Sequence, residues 1–92
     1  MRHARTEDLD RLDALLASLR DLGLREPKRG TFYMRSRACV HFHADGEALF
    51  ADVRTDPDVG FVRVPVTTKS QQAKLVADVR RALRSGLGTG GS

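Results

Sequence analysis

A chain of 92 residues holds one domain's worth of core and leaves no length for a second. Its apolar fraction of 40% and charged fraction of 30% suit a folded, well-solvated domain and exclude a disordered one. A single cysteine excludes an intrachain disulfide, the net charge of +4 is ordinary for solubility, and no apolar run approaches the roughly 20 residues of a membrane helix.

The basic start, Met1–Arg5, runs straight into Glu7 and Asp8 with no apolar h-region, so the expectation is a cytoplasmic protein with no membrane partner. Thr6 reads as a helix N-cap, followed by acids where the helix dipole favours them. Leu9, Leu12, Leu15, Leu16, Leu19 and Leu22 then recur at three- and four-residue steps, which predicts a helix over 7–22 with Gly23 ending it. Residues 24–30 read as a basic connector, because Pro27 bars helix continuation.

Thr31–Met34 has the β-branched and aromatic content of a strand, and a tight turn near Arg35-Ser36 returns the chain into a second strand over 37–43. Asp45-Gly46 suits a two-residue hairpin turn. Counting outward from it pairs Ala44 with Glu47, Phe42 with Leu49, Val40 with Ala51 and Ala38 with Val53 on an apolar face. The opposite face then pairs His41 with Phe50, Cys39 with Asp52 and Arg37 with Arg54. After a loop over 55–59, Val62, Val64 and Val66 alternate along a last strand, where Pro65 requires an edge or an end. Thr68 and Gln71 form a capping box for a second helix over 69–84, with Ala73, Leu75, Val76, Val79, Ala82 and Leu83 as its stripe.

The expected architecture is α+β: a two-layer αββββα domain over 1–84, with a four-stranded antiparallel meander and two helices packed on one face. Residues 85–92 are expected to form a flexible Gly-rich tail.

Three constellations could carry function. Cys39, His41 and His43 alternate along one strand and so share a side, with Asp52 across from Cys39; imidazole, thiolate and carboxylate are the usual ligands of zinc-like ions. The plainer reading is a solvated polar face. Cys39 also has His41 nearby as a base, although a packed structural thiol is the simpler assignment. Arg29, Arg35, Arg37 and Arg54 form a basic surface interleaved with Phe32, Tyr33 and Met34, which suits an anionic partner, nucleic acid included. No resident cofactor is expected. The oligomeric expectation is a monomer, or a weak homodimer that pairs open sheet faces over Phe50 and Phe61.

The segment Val40-His41-Phe42-His43-Ala44-Asp45-Gly46 resembles the H-x-H-x-D-G hairpin of a bacterial domain known as the "luciferase family", whose function is undefined. Asp52 and the stretch Gly60–Val66 continue that resemblance, which covers about residues 29–84; the stretch between Asp52 and Gly60 is shorter here. The element order also resembles the MmcQ/YjbR-like double-wing domains, and that resemblance implies DNA binding. Together these features favour a small binding or interaction module over an enzyme.

Overall fold

The computed structural model describes residues 1–85, and the expected tail from residue 86 onward lies outside them. In chain order the elements are β1 (Arg2–His3), α1 (Thr6–Arg11), α2 (Asp13–Asp21), β2 (Arg25–Lys28), β3 (Thr31–Met34), β4 (Arg37–Asp45), β5 (Ala48–Val53), β6 (Val62–Pro65) and α3 (Lys69–Arg84). The strands form one antiparallel sheet in the order β2-β3-β4-β5-β6, with β1 paired to β4 beside that path. The α+β class and the antiparallel meander follow the expectation. Two short strands and one helix break add to it.

The leucine stripe does form the first helical segment, but in two pieces. Arg5, in extended geometry, takes the N-cap position expected of Thr6, and the Asp8 carboxylate accepts from the Arg5 backbone N–H at 2.9 Å. At Leu12 the backbone opens to φ −102°, ψ 13°, and its N–H bonds back three residues to the Leu9 carbonyl. This tighter turn keeps Leu9, Leu12 and Leu15, spaced by threes, on the buried side. Gly23, at φ 91°, ends α2 as expected.

Residues 25–28 are a strand and not a connector. Pro27 disguised it: proline is excluded from central strands but tolerated on an edge, and β2 is the outermost strand on its side. Pro65 occupies the opposite border, in β6.

The β4–β5 hairpin turns at Gly46-Glu47 between the paired residues Asp45 and Ala48, one position later than the Asp45-Gly46 turn expected. The whole ladder therefore slides by two, so Ala44 faces Leu49, Phe42 faces Ala51 and Val40 faces Val53. A slide of two preserves parity, and every side chain keeps its face. Partners change nonetheless: His41 now stands across from Asp52, and His43 across from Phe50.

A second correction concerns Cys39. On the β3 side, Phe32 pairs with Val40 while Tyr33 pairs with Ala38, so Cys39 is the extra residue of a β-bulge. The bulge breaks the alternation, and Cys39 is buried in the core together with its neighbour Val40.

The core lies between the sheet and the helices. Phe32, Val40, Phe42, Ala44, Leu49, Ala51 and Val53 face the leucines of α1 and α2, and Leu75 and Val79 of α3. At the start of α3 the Thr68 hydroxyl accepts from Gln71 N at 3.1 Å, and the Gln71 amide oxygen accepts from Thr68 N at 3.0 Å. Thr68→Ala is expected to cost about 1 kcal/mol in urea denaturation. No change in midpoint would show that the cap contributes nothing.

Candidate metal centre

The outer sheet face gathers its polar residues by register. β1 pairs antiparallel with β4, so His3 stands directly across from His43. Such neighbours place their Cβ atoms about 4.5–5.5 Å apart. His41 sits two residues along β4 on the same face, opposite Asp52, and Asp52 in turn stands opposite Arg63 of β6. Two rows result: His3–His43–Phe50, and beside it His41–Asp52–Arg63.

Little chain holds β1, but that chain is well tied. Arg2 forms an ion pair with the buried Asp8 carboxylate, and Ala4 N–H donates to the Phe42 carbonyl at 3.1 Å. These contacts fasten the segment on either side of His3.

The three imidazoles are in mutual contact. Ring centroids lie 4.6 Å apart for His3–His43, 5.1 Å for His41–His43 and 6.4 Å for His3–His41. One nitrogen from each can be chosen so that all three lie within 4.8 Å of one another. Nitrogens bound tetrahedrally to zinc at 2.0–2.1 Å stand about 3.3 Å apart. The three nitrogens here lie within 4.8 Å of one another, so the rings have to draw closer to share one ion.

Asp52 completes the group. One of its carboxylate oxygens, Oδ2, lies 3.0 Å from Nε2 of His43 and 3.9 Å from Nδ1 of His41. The same carboxylate accepts two hydrogen bonds from Arg63, Nε to Oδ1 at 2.7 Å and Nη2 to Oδ2 at 2.9 Å. Arg63 chiefly, helped by the two histidines, holds the Asp52 carboxyl below its ordinary pKa against the opposing effect of burial. Burial pushes the His41 imidazole down from its usual value; the Asp52 carboxylate opposes this, and the neighbouring histidines and Arg63 add to it.

His43 is the centre of the arrangement. It was expected on a solvated face, yet it is only 8% exposed, and its Nε2 is buried without a hydrogen bond among the described residues. The nearby Asp52 oxygen is at ion-pair distance but outside hydrogen-bonding geometry. A buried polar atom left so costs about 1–3 kcal/mol unless something engages it.

The cluster opens sideways. β1 and β3 both pair along the same edge of β4, and where one ends and the other begins there is a cleft of about 210 Å³. His3 and His41 line it together with Lys28, Arg29 and Thr31. On the other side, Phe61 meets the His41 ring edge-on at 5.0 Å.

The remaining candidates from the sequence divide. The Cys39 thiol is in the core, away from the imidazole face, and burial pushes its pKa up to about 11, so it is a neutral thiol and not a ready ligand or nucleophile. Arg35, Arg37 and Arg54 converge on one cavity. Arg29 is apart from them, ion-paired with Asp10 at 2.9 Å and near Asp13 at 3.9 Å. His3 escaped sequence reading because a two-residue strand carries no periodicity; its only signal was a histidine near the start of a chain that has three. No protein-family model, no curated protein and no solved structure matches the chain.

Proposed function

We propose that the protein is a binding module that holds a divalent transition-metal ion on its outer sheet face. His3, His41 and His43 are the ligands, and Asp52 is either the fourth ligand or the carboxylate that orients the imidazoles. The observation that carries this reading is the buried, unbonded Nε2 of His43 beside two further imidazoles and a carboxylate. An ion accepts the lone pair that no donor in the fold meets, and it repays the desolvation of the nitrogen. Imidazole and carboxylate donors suit zinc, copper, nickel or iron, whereas calcium and magnesium call for an all-oxygen shell. Asp52 Oδ2 lies 3.0 Å from Nε2 of His43 and its carboxylate is gripped by Arg63, which supports its role as the fourth ligand.

Zinc titration of the full chain, followed by imidazole NMR resonances, tests this directly. All three histidines are expected to shift together and to saturate at one equivalent with micromolar or tighter affinity. If no imidazole resonance moves at micromolar zinc, nickel or copper, the metal reading is wrong.

A further inference from the structure

We propose that the cleft between β1 and β3 takes up a small oxyanion, a carboxylate or phosphate group, that joins the coordination of the ion held by the three histidines. The inference rests on the metal reading above and adds to it the chemical class of the outside ligand. His3 and His41 line this cleft of about 210 Å³, so two of the three metal-binding rings contribute to its wall. Asp52 stands on β5, on the other side of β4 from β1 and β3. The protein's own carboxylate therefore meets the ion from one side, and the cleft reaches it from the other. Zinc expands from four ligands to five, which leaves room for one more donor. A cavity of about 150 Å³ holds a single benzene, so the guest here is small.

The rest of the wall favours negative charge. Lys28, Arg29 and Thr31 line it together with Leu9 and Phe42, and no carboxylate does. The two cations differ in what they have left to offer. Arg29 is answered by Asp10 at 2.9 Å and stands near Asp13 at 3.9 Å. The Lys28 ammonium and the Thr31 hydroxyl have no hydrogen-bond or ion-pair partner among the described residues. Lys28 thus brings the charge, Thr31 brings a second donor, and an oxyanion bound to the ion accepts from both. Bonds of this kind are charge-assisted and stronger than those between neutral groups.

The turn between these two donors holds them in place. Lys28 and Thr31 pair across the two residues Arg29 and Gly30. The Gly30 N–H donates to the Glu26 carboxylate at 2.8 Å, and Glu26 is ion-paired with Arg20 of α2. Gly30 has φ 83°, and a Cβ there would lie 2.7 Å from a Leu9 methyl carbon. The tip of the β2–β3 hairpin therefore rests its backbone directly on α1. That contact fixes where Lys28 and Thr31 leave the main chain, so less freedom is lost when a ligand binds.

Cobalt(II) is the reporter, because its visible spectrum follows its coordination geometry. The full chain, loaded with one equivalent of cobalt, is titrated with acetate, benzoate and methylphosphonate, with acetamide as the uncharged control. The anions are expected to shift the cobalt bands saturably, with dissociation constants below about 1 mM. The preference between the carboxylates and the phosphonate identifies the head group, and acetamide should leave the bands unmoved. Lys28→Gln, at an exposed strand end, should weaken anion binding about tenfold while cobalt affinity and melting temperature hold. Lys28→Arg keeps the charge and should keep the binding. A cobalt site whose spectrum no anion changes overturns this inference and leaves the metal reading standing. Parent-like anion affinity in Lys28→Gln overturns it too, as does a fall in that variant's cobalt affinity or melting temperature, or acetamide that binds as tightly as acetate. A chain that takes up no cobalt overturns both readings.

Discussion

Replacing His43 with leucine is expected to have opposite effects with and without metal. Leucine fills much of the space of an imidazole and carries no polar nitrogen. In metal-free protein the substitution removes a buried atom that makes no hydrogen bond, so stability should hold or rise by up to about 1–3 kcal/mol. With zinc the comparison reverses. An ion present at 100 times its dissociation constant stabilises the parent by about 2.7 kcal/mol, since it binds the folded chain and not the unfolded one. For a domain of this size that is roughly 10–20 °C in melting temperature. His43→Leu removes the central ligand and should abolish that gain. Thermal melts of both proteins, with zinc and with a chelator, make the measurement. A variant that still gains stability from zinc would mean that the ion binds elsewhere, whereas one badly destabilised without metal would show that His43 serves the fold.

The largest stability loss is expected at Phe32. This ring is fully buried, and it comes from β3 onto the helix-facing side of the sheet. Phe32→Ala removes its apolar surface and leaves a cavity that rigid neighbours on β4 fill only in part; such changes cost about 3–5 kcal/mol. A domain of this length has about 5–14 kcal/mol to lose, so the variant should forfeit a large share of its stability. Urea denaturation should show a lowered midpoint with an unchanged slope. A cost below about 1 kcal/mol would be incompatible with the core described here.

The parts of the fold legible in the sequence were those set by local chemistry. Thr68 and Gln71 satisfy one another's backbone within a single turn, so α3 begins and ends where its caps and stripe require. The hairpin faces were legible because side-chain parity survives a slide of two residues, although the pairing itself was not. Turn position depends on a choice between Asp45-Gly46 and Gly46-Glu47 that one glycine permits equally well. The bulge at Cys39 is a relation between strands, and no feature of either strand alone announces it. β1 and β2 lie at the opposite extreme: β1 is too short to announce itself and is held by residues of β4 distant in sequence, while β2 pairs with its neighbour β3 but has the composition Arg-Glu-Pro-Lys, which does not read as a strand.

The candidate site follows the same division. His41, His43 and Asp52 were legible as groups on one face, since alternation alone assigns them to it. The shift in register made Asp52 the partner of His41 instead of Cys39, which brings the carboxylate to the imidazoles. His3 was not legible, because its position across from His43 depends on the return of the N-terminal segment to the sheet. That return also shields His43, which alternation by itself would leave in solvent.

The two prolines at the borders of the sheet bear on how the protein meets others of its kind. A strand added from a second chain needs an unbroken run of donors and acceptors, and a proline interrupts that run at β2 and again at β6. Growth of the sheet sideways, copy after copy, is thereby discouraged on both flanks. What stays open to the surroundings is the broad surface between those flanks, where the imidazoles and Phe61 stand.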